Sequence, residues 1–306
     1  SVRFDSISST LELYYASKNV ITRIRQKSSD LRRIVQTALE RGYKKYDLQL
    51  KQLKDTEKRD KYKIYGELLN TYGYELSGGE KELECINYYT NETVKIPLDP
   101  QLTARENSQK FFDKYNKLKR TWEALSKFVE ETKQEIEHLE SISTSLDIAL
   151  KEEDLAQIKQ ELTEYGFIKK HGPSGKKVKI TSRPFHYISS DGFHIYVGKN
   201  NYQNEELTFK TANGGDWWFH AKGMPGSHVI VKTPDEGKTD LPDRVFEEAG
   251  ALAAYYSKGR GNEKVEIDYI QKKSVKKVAG AAPGFVIYHT NYSLMAVPKV
   301  TLEEVL

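Results

Sequence analysis

A single cysteine, Cys85, stands in 306 residues. Without a second thiol there is no internal disulfide and no cysteine-based zinc cage, so folds built on either are excluded and a reducing compartment is expected. Long apolar runs are also missing. No stretch approaches the roughly 18 apolar residues that a membrane helix needs, and the first residues lack the basic-then-apolar pattern of a signal peptide. A cytoplasmic location with no membrane partner is therefore expected. The chain opens Ser1-Val2-Arg3 without methionine, as a fragment of a longer protein would. No GxGxxG, Walker A, HExxH or GxSxG pattern occurs, which removes the commonest nucleotide, zinc-protease and serine-hydrolase signatures.

What remains is polar but not featureless. Charged residues make up 30%, hydrophobic residues 38% and aromatics 11%, enough large side chains for a core and enough length for about two domains at roughly 150 residues each. Net charge is only +4, but it is unevenly placed: residues 1–168 sum to −1 and residues 169–306 to +5. The basic excess lies in local groups, namely Lys169, Lys170, Lys176, Lys177 and Lys179; Lys258, Arg260 and Lys264; and Lys272, Lys273, Lys276 and Lys277. Such grouping points to a phosphate-rich partner. The plainer alternative is a solvated surface, because lysine commonly fills exposed positions.

From Phe111 to Leu150, the positions Phe111, Tyr115, Leu118, Trp122, Leu125, Val129, Thr132, Ile136, Leu139, Ser143, Leu146 and Leu150 alternate four-three spacing, and ten of the twelve are apolar. That is a coiled-coil seam. A looser stripe between Ser28 and Thr71, with Leu39, Tyr43, Tyr46, Leu50, Leu53, Ile64 and Leu68, is its natural partner. Each arm is on the order of 60 Å long at about 1.5 Å per residue. Between them Gly73, Gly78, Gly79, Pro97 and Pro100 forbid continuous helix, and Glu82-Leu-Glu-Cys-Ile and Thr93-Val-Lys-Ile alternate around Asn91 as a hairpin does. The expectation is a long antiparallel helical hairpin over residues 28–168 with a small β tip at 72–101, holding two binding surfaces apart. The same seam also suits self-association. Trp122 and the seam tyrosines read as packing residues. A further helix, Ser6 to Arg25, precedes the arm as a residual element of residues 1–27, with Leu11, Tyr14, Tyr15 and Ile21 on one face and Ser9 or Thr10 as its cap.

His171-Gly-Pro-Ser-Gly-Lys-Lys reads as a linker, and residues 169–306 read as a compact α+β domain. Phe185–Ser189 and Phe193–Val197 flank Asp191-Gly192, a hairpin signal. A short helix over Asn200–Ala212, strands over Asp216–Lys222 and Ser227–Thr233, and a helix over Pro242–Ser257 with Val245, Ala249, Leu252 and Tyr256 on one face follow. Val265–Ile270, Phe285–His289 and Leu294–Val297 are expected to finish the sheet. The Pro225-Gly226 turn brings His220, Ser227 and His228 together. A hydrolase reading of that trio lacks an acid and a nucleophile elbow, and zinc held by the two histidines lacks further ligands, so neither catalysis nor a metal nor a cofactor is expected.

Asp216-Trp-Trp-Phe-His-Ala-Lys-Gly-Met-Pro-Gly-Ser-His-Val-Ile resembles the signature of the NFACT-R domain, and Arg183-Pro-Phe through Asp191-Gly-Phe to Val197-Gly-Lys-Asn-Asn resembles that domain's start. Ile96-Pro-Leu-Asp-Pro and Glu106-Asn-Ser-Gln-Lys-Phe-Phe-Asp-Lys-Tyr-Asn-Lys-Leu-Lys-Arg are similar to the coiled-coil region that precedes it in the same family. That family comprises the bacterial RqcH proteins, long called fibronectin-binding protein FbpA, and the eukaryotic NEMF proteins. The resemblance implies a ribosome quality control factor that binds the large ribosomal subunit carrying stalled peptidyl-tRNA, recruits charged tRNA and supports alanine tails. It further implies an arm reaching toward a stalk-base protein and a compact domain that binds RNA. The family's amino-terminal domain, with its Asp-Arg pair for tRNA recruitment, has no counterpart in these residues, so tailing by this chain alone is not expected.

On that footing Arg183, His186, Lys199, His220, Lys222, Ser227 and His228 are candidate donors to phosphate or ribose oxygens, with Lys272, Lys273, Lys276 and Lys277 adding general attraction. Trp217 and Trp218 share a strand and so point to opposite faces, one to the core and the other, taken as Trp218, to stack on a base. The competing class is an adhesin for fibronectin or fibrinogen, which requires exposure at the cell surface by a route without a recognised signal.

Overall fold

The computed structural model describes residues 7–169, 181–234, 241–289 and 291–305. By its internal contacts the chain divides into two units, Arg41–Glu135 and a second made of Ser1–Glu40 with Ile136–Leu306. The helical part runs through α1 (Ile7–Lys27) and α2 (Ser29–Asp55), takes a 3-10 turn at Thr56–Lys58 into α3 (Arg59–Tyr72), and after the tip returns along α4 (Ala104–Ile148), 45 residues without a break. Thr103 and Glu106 start α4 reciprocally. The Glu106 carboxylate accepts the Thr103 N–H at 2.8 Å and the Thr103 hydroxyl accepts the Glu106 N–H at 3.3 Å, a capping box.

Within the Arg41–Glu135 unit, contacts descend along α3 as they ascend along α4. Ser108 Oγ lies 2.7 Å from Asn70 Oδ1 and 2.9 Å from the Gly66 carbonyl oxygen, two acceptors that share its one proton. Tyr65 meets Phe111 edge-on at 5.4 Å, and the Arg59 guanidinium lies 4.6 Å from the centre of the Trp122 ring. This is the expected antiparallel hairpin. Along α4 every seam position from Phe111 to Leu146 except Trp122 is buried or half-buried. Trp122, 38% exposed, packs under Arg59, while Leu150 falls beyond the helix end.

The outgoing arm differs from expectation in two ways. It is two helices, not one, because the buried Thr56 hydroxyl donates to the Leu53 carbonyl, a local bond that competes with the helical ladder. Its covered stripe is also displaced: Tyr43 and Leu50 are exposed, whereas Gln49 is buried. At about 100° per residue, Leu31, Val35, Leu39, Tyr46, Gln49 and Leu53 fall within an arc of roughly 80°, and Tyr43 and Leu50 lie just outside it. α1 is already helical at Ile7, so Ser9 and Thr10 sit inside it and do not cap it, and Leu11 and Tyr15 are exposed.

The tip is a hairpin of β1 (Glu82–Asn87) and β2 (Glu92–Pro97), with Asn91 at φ 56° closing the turn, a conformation that asparagine tolerates. Alternation turns Leu83, Cys85 and Ile96 onto Tyr65, Leu68 and Leu69 of α3.

In the second unit, α5 (Glu152–Glu164) follows α4; the heptad argument did not separate it from the arm. The Asp154 carboxylate caps it by accepting the Leu150 and Lys151 N–H groups at 3.0 and 2.9 Å. A six-stranded antiparallel sheet comes next, built from β3 (Phe185–Ile188), β4 (His194–Val197), β5 (Trp217–Ala221), β6 (Val229–Val231), β7 (Val265–Gln271) and β10 (Tyr292–Ala296) in the order β10-β7-β5-β6-β4-β3. One face, with Phe185, Ile195, Val197, Phe219, Val229 and Ile267, packs on α7 (Asp243–Tyr255) through Val245, Ala249 and Leu252. The other face, with Trp218, Ile230 and Ile270, is covered by α6 (Asn201–Glu206), which continues as a π-helical turn over Leu207–Thr211. The α+β class holds as expected.

One expectation about the sheet fails. Phe285–His289 does not join it: β9 (Val286–Ile287) pairs with β8 (Lys276–Lys277) in a separate ribbon, because β10 already occupies the free edge of β7. The linker expected at 171–177 lies outside the described residues, as do Lys170, Lys176, Lys177 and Lys179.

Gly198 follows β4 where α6 presses closest. A Cβ there would stand 2.2 Å from Asn204 Oδ1 and 3.0 Å from the Asn204 backbone nitrogen. Asn204 cannot withdraw, since its Oδ1 accepts the buried His228 N–H at 3.0 Å. Gly198→Ala is expected to cost about 2–4 kcal/mol in urea denaturation; an unchanged midpoint would refute the close approach.

Candidate nucleic-acid interface

Strand alternation sends Trp218 and His220 of β5, and His228 just before β6, to the same sheet face. Register places His220 opposite Asp268 of β7 and Trp218 between Ile230 and Ile270. The rings pack on one another: Trp218 to His220 at 5.6 Å, Trp218 to His228 at 5.1 Å, and His220 to His228 edge-on at 5.5 Å. Tyr288 adds a further ring 5.1 Å from Trp218, and its hydroxyl donates to Asp268 Oδ2 at 2.9 Å. These groups line a cavity of about 440 Å³ that is also walled by the Gly223–Gly226 turn, by Phe285, and by Glu140 and Ser141 of α4.

Electrostatically this face holds its histidines neutral. Burial drives the His220 imidazole down to about 4, against weaker opposing pulls from the Gly226 carbonyl and from Asp268. Burial, then the neighbouring His220, holds His228 well below the usual range, and His228 Nδ1 bonds the Thr208 hydroxyl at 2.7 Å. Burial, then the bond to Asp268, pushes the Tyr288 phenol up.

The structure redistributes the residues expected to touch RNA. Trp218 is fully buried, so it offers no open face for stacking, and Trp217, on the α7 side, packs edge-on against Phe246 at 5.0 Å. Lys199 is 5% exposed; its ammonium sits 3.7 Å from Asp154 Oδ1 and 4.3 Å over the Phe185 ring. Ser227 is buried and donates to the Gly198 carbonyl, and His228 is buried as described. All four are turned inward, each with a hydrogen bond, ion pair or ring contact in the interior, whereas the sequence alone suggests surface donors or a stacking face.

His220 is half-buried in the cavity wall, and the others remain at the surface. Arg183 is exposed, and with half-buried His186 it lines a second concavity, where His186 stacks on Tyr196 at 4.5 Å and bonds His194 Nδ1 at 2.8 Å. Burial, then His194, lowers the His186 imidazole. Exposed Lys222 pairs with Glu266 Oε1 at 2.6 Å, which raises its ammonium. Lys272 and Lys273 form a 3-10 turn and Lys276 and Lys277 form β8, so these four stand together. Lys272 lies 5.7 Å over Phe209, and Lys277 pairs with Glu205.

Asp268, Asn204, Thr208 and Tyr288 were not singled out from the sequence. One signal was available: Glu266 and Asp268 interleave with Val265, Ile267 and Tyr269 in a strand that is apolar on one side. Among the described residues, no group of three or more His, Cys, Asp or Glu side chains is arranged to hold a metal ion, and no helix is long and apolar enough to cross a membrane.

The depressed imidazoles make a pH prediction. Between pH 6.5 and about 4 the unfolded chain, with an ordinary histidine near 6.5, binds protons that folded His220 refuses. Stability therefore rises with pH across that window and is lost as pH falls, by on the order of 3 kcal/mol for this residue. Urea midpoints at pH 7, 5.5 and 4.5 should fall in that order, and His220→Gln should flatten the trend. An NMR titration that finds His220 protonated at pH 6 would contradict it.

Comparison with known proteins agrees with the architecture. Residues 1–181 match the NFACT N-terminal and middle domains, and residues 183–289 match the NFACT protein RNA binding domain. The chain is 39% identical over 296 residues to the Rqc2 homolog RqcH of Streptococcus pneumoniae serotype 2 (strain D39 / NCTC 7466), covering 96% of this chain and 52% of that protein. It is 36% identical over 302 residues to the Rqc2 homolog RqcH of Bacillus subtilis (strain 168), covering 97% and 52% respectively. The chain thus spans about half the length of the curated relatives it matches. Among solved structures, the C-terminal of the fibronectin/fibrinogen-binding protein from Streptococcus suis superposes with a TM-score of 0.69 at 36% identity, covering 90% of this chain and 96% of that one. With matched domains over both its helical and its sheet-bearing parts, the chain belongs to the NFACT family.

Proposed function

We propose that this chain is an RNA-holding, non-catalytic part of a ribosome quality control factor. In this reading it binds the large ribosomal subunit with stalled peptidyl-tRNA through ribosomal RNA and tRNA, in the cytoplasm, and so supports alanine tailing by the longer protein. One observation carries the reading: the RNA binding domain match, residues 183–289, coincides with the segment in which Arg183, Lys222, Lys273, Lys276 and Lys277 stand exposed. Phosphates attract such a set without a built pocket, and several exposed lysines on one turn and ribbon suit a backbone better than a single anion. The tip of the hairpin exposes Tyr74, Ile86 and Tyr89, an apolar surface that suits a protein such as one at the stalk base.

The adhesin remains a second reading because the Streptococcus suis protein with the matching structure is called a fibronectin/fibrinogen-binding protein. The two separate cleanly in solution. If about four phosphates are neutralised, the chain's affinity for ribosomal RNA should fall with salt at a log–log slope of roughly −3 to −4. Charge reversal at Lys272, Lys273 and Lys276 together should weaken binding and flatten that slope by about 2–3. Salt-independent binding, or none at low salt, sinks the proposal. In a sedimentation assay the chain should travel with large subunits and should not be displaced by excess fibronectin, and with stalled subunits and charged alanine tRNA it should add no alanine. Tight fibronectin binding without subunit binding would favour the adhesin.

A further inference from the structure

The cavity on the Trp218 face takes no part in the phosphate attraction just described, and its walls are wrong for a phosphate. Among the described residues no lysine or arginine lines it, and Glu137 and Glu140 stand in its wall. The sheet side and the turn supply flat, polarisable groups: Trp218, His220, His228, Phe285 and Tyr288, with the Met224 thioether. Its volume, about 440 Å³, lies in the range of small-molecule sites, roughly 300–1,000 Å³. Behind this lining one donor is unmet, because Trp218 Nε1 is buried with no acceptor among the described residues.

Charge of the opposite kind stands one contact away from the lining. The Lys258 ammonium is 2.8 Å from Glu140 Oε1, and the Lys222 ammonium is 3.8 Å from Asp268 Oδ1, whose other oxygen takes the Tyr288 hydroxyl. A slot with an aromatic wall and cations beside it matches the two ends of a nucleotide, a planar base and the adjoining phosphates.

We propose that this cavity receives one unpaired nucleobase of a bound RNA, with the adjoining phosphates on Lys222 and Lys258. The proposal rests on the RNA-binding reading and deepens it by giving the surface a preference for RNA with an extruded base over a plain duplex. Neutral imidazoles suit the role, since an uncharged His220 keeps one ring nitrogen as an acceptor while its ring face remains available to the base. The cost of extrusion is smallest for a base that is already bulged or single-stranded, so selectivity arises without sequence readout.

The test uses the full chain and a fluorescent RNA hairpin carrying one bulged nucleotide, beside the same hairpin with an abasic bulge and with none. The base-bearing hairpin should bind about tenfold more tightly than the abasic one, and that ratio should stay constant as salt is raised while both affinities fall. Met224→Trp, which fills the cavity from its half-buried wall, should bring the ratio to one and leave abasic affinity unchanged. In the unsubstituted protein, the Trp218 indole N–H resonance, assigned among three tryptophans, should move with the base-bearing hairpin and not with the abasic one. Equal, salt-dependent affinities for the two hairpins with an unmoved indole overturn the pocket and leave the RNA-binding reading standing. Adenosine monophosphate shifting that indole while the hairpins bind equally assigns the cavity to a free nucleotide and overturns it as well. Absence of any RNA binding at low salt overturns both readings.

Discussion

The sheet-bearing unit depends on three consecutive polar residues that fold to the inside, Lys199, Asn200 and Asn201, all at most 5% exposed. Each must be satisfied there, since a buried polar group left without a partner costs about 1–3 kcal/mol and a buried charge more. Their partners lie on the helical side. Asn200 donates to Gln157 at 2.7 Å, Asn201 donates to Glu161 and to Ser141 at 2.8 Å each, and Lys199 faces Asp154. Glu161 also accepts from buried His138 Nε2 at 2.8 Å. This network holds α6 against α5 and the end of α4, and therefore sets the wall of the cavity opposite the sheet. An apolar interface of the same size would tolerate sliding; fixed donors and acceptors do not.

Two carboxylates organise the sheet in the same way. Asp216, fully buried, accepts the Asn213 N–H at 2.7 Å and the Thr233 N–H at 2.9 Å, and takes the Lys232 ammonium. It ties the loop before β5 to the end of β6. Asp268 gathers the Tyr288 hydroxyl, the Asn291 amide and the Ser293 hydroxyl, the last two at 2.7 Å each. Through Asp268 the segment after β9 is pinned to the sheet although β9 itself pairs elsewhere. Both acids act as hubs for groups that otherwise have no place in an apolar interior.

Much of the fold was legible because it follows from periodicity. The four-three spacing of α4, the alternation of β1, β2 and β3 to β7, and the apolar face of α7 are all read from single residues and their neighbours. What was not legible depended on three dimensions. Thr56 breaks the outgoing arm through a bond to Leu53 that no periodicity reveals, and Gln49 occupies the seam because the stripe's phase is set by a partner helix. β9 left the sheet because β10, farther along the chain, had taken the edge. For the candidate site, spacing correctly joined His220 with His228 across the Pro225-Gly226 turn but could not say which side of the surface they lay on. Which of the two adjacent indoles faces α7 follows from strand phase, and a two-residue period leaves that phase undetermined until one neighbour is placed.

This failure separates two kinds of residue within the most recognisable stretch of the chain. Asp216, Trp218, Phe219, Ser227 and His228 are all buried, so the motif that identifies the domain describes how its sheet is closed. The exposed cations lie largely outside it, on the Lys272–Lys277 turn and ribbon. Substitutions in the first group act through stability and, at Trp218 and His228, through the shape of the cavity they line. Substitutions in the second act through charge and leave the core intact. A surface lysine is free to move by a residue or two along a turn, because phosphate attraction falls off over a Debye length of about 8 Å at physiological salt and not over one bond. A buried imidazole bonded to Thr208 has no such latitude. The parts of this domain that are easiest to recognise are therefore those that shape the cavity, and the parts that attract a polyanion are those that sequence pattern describes least.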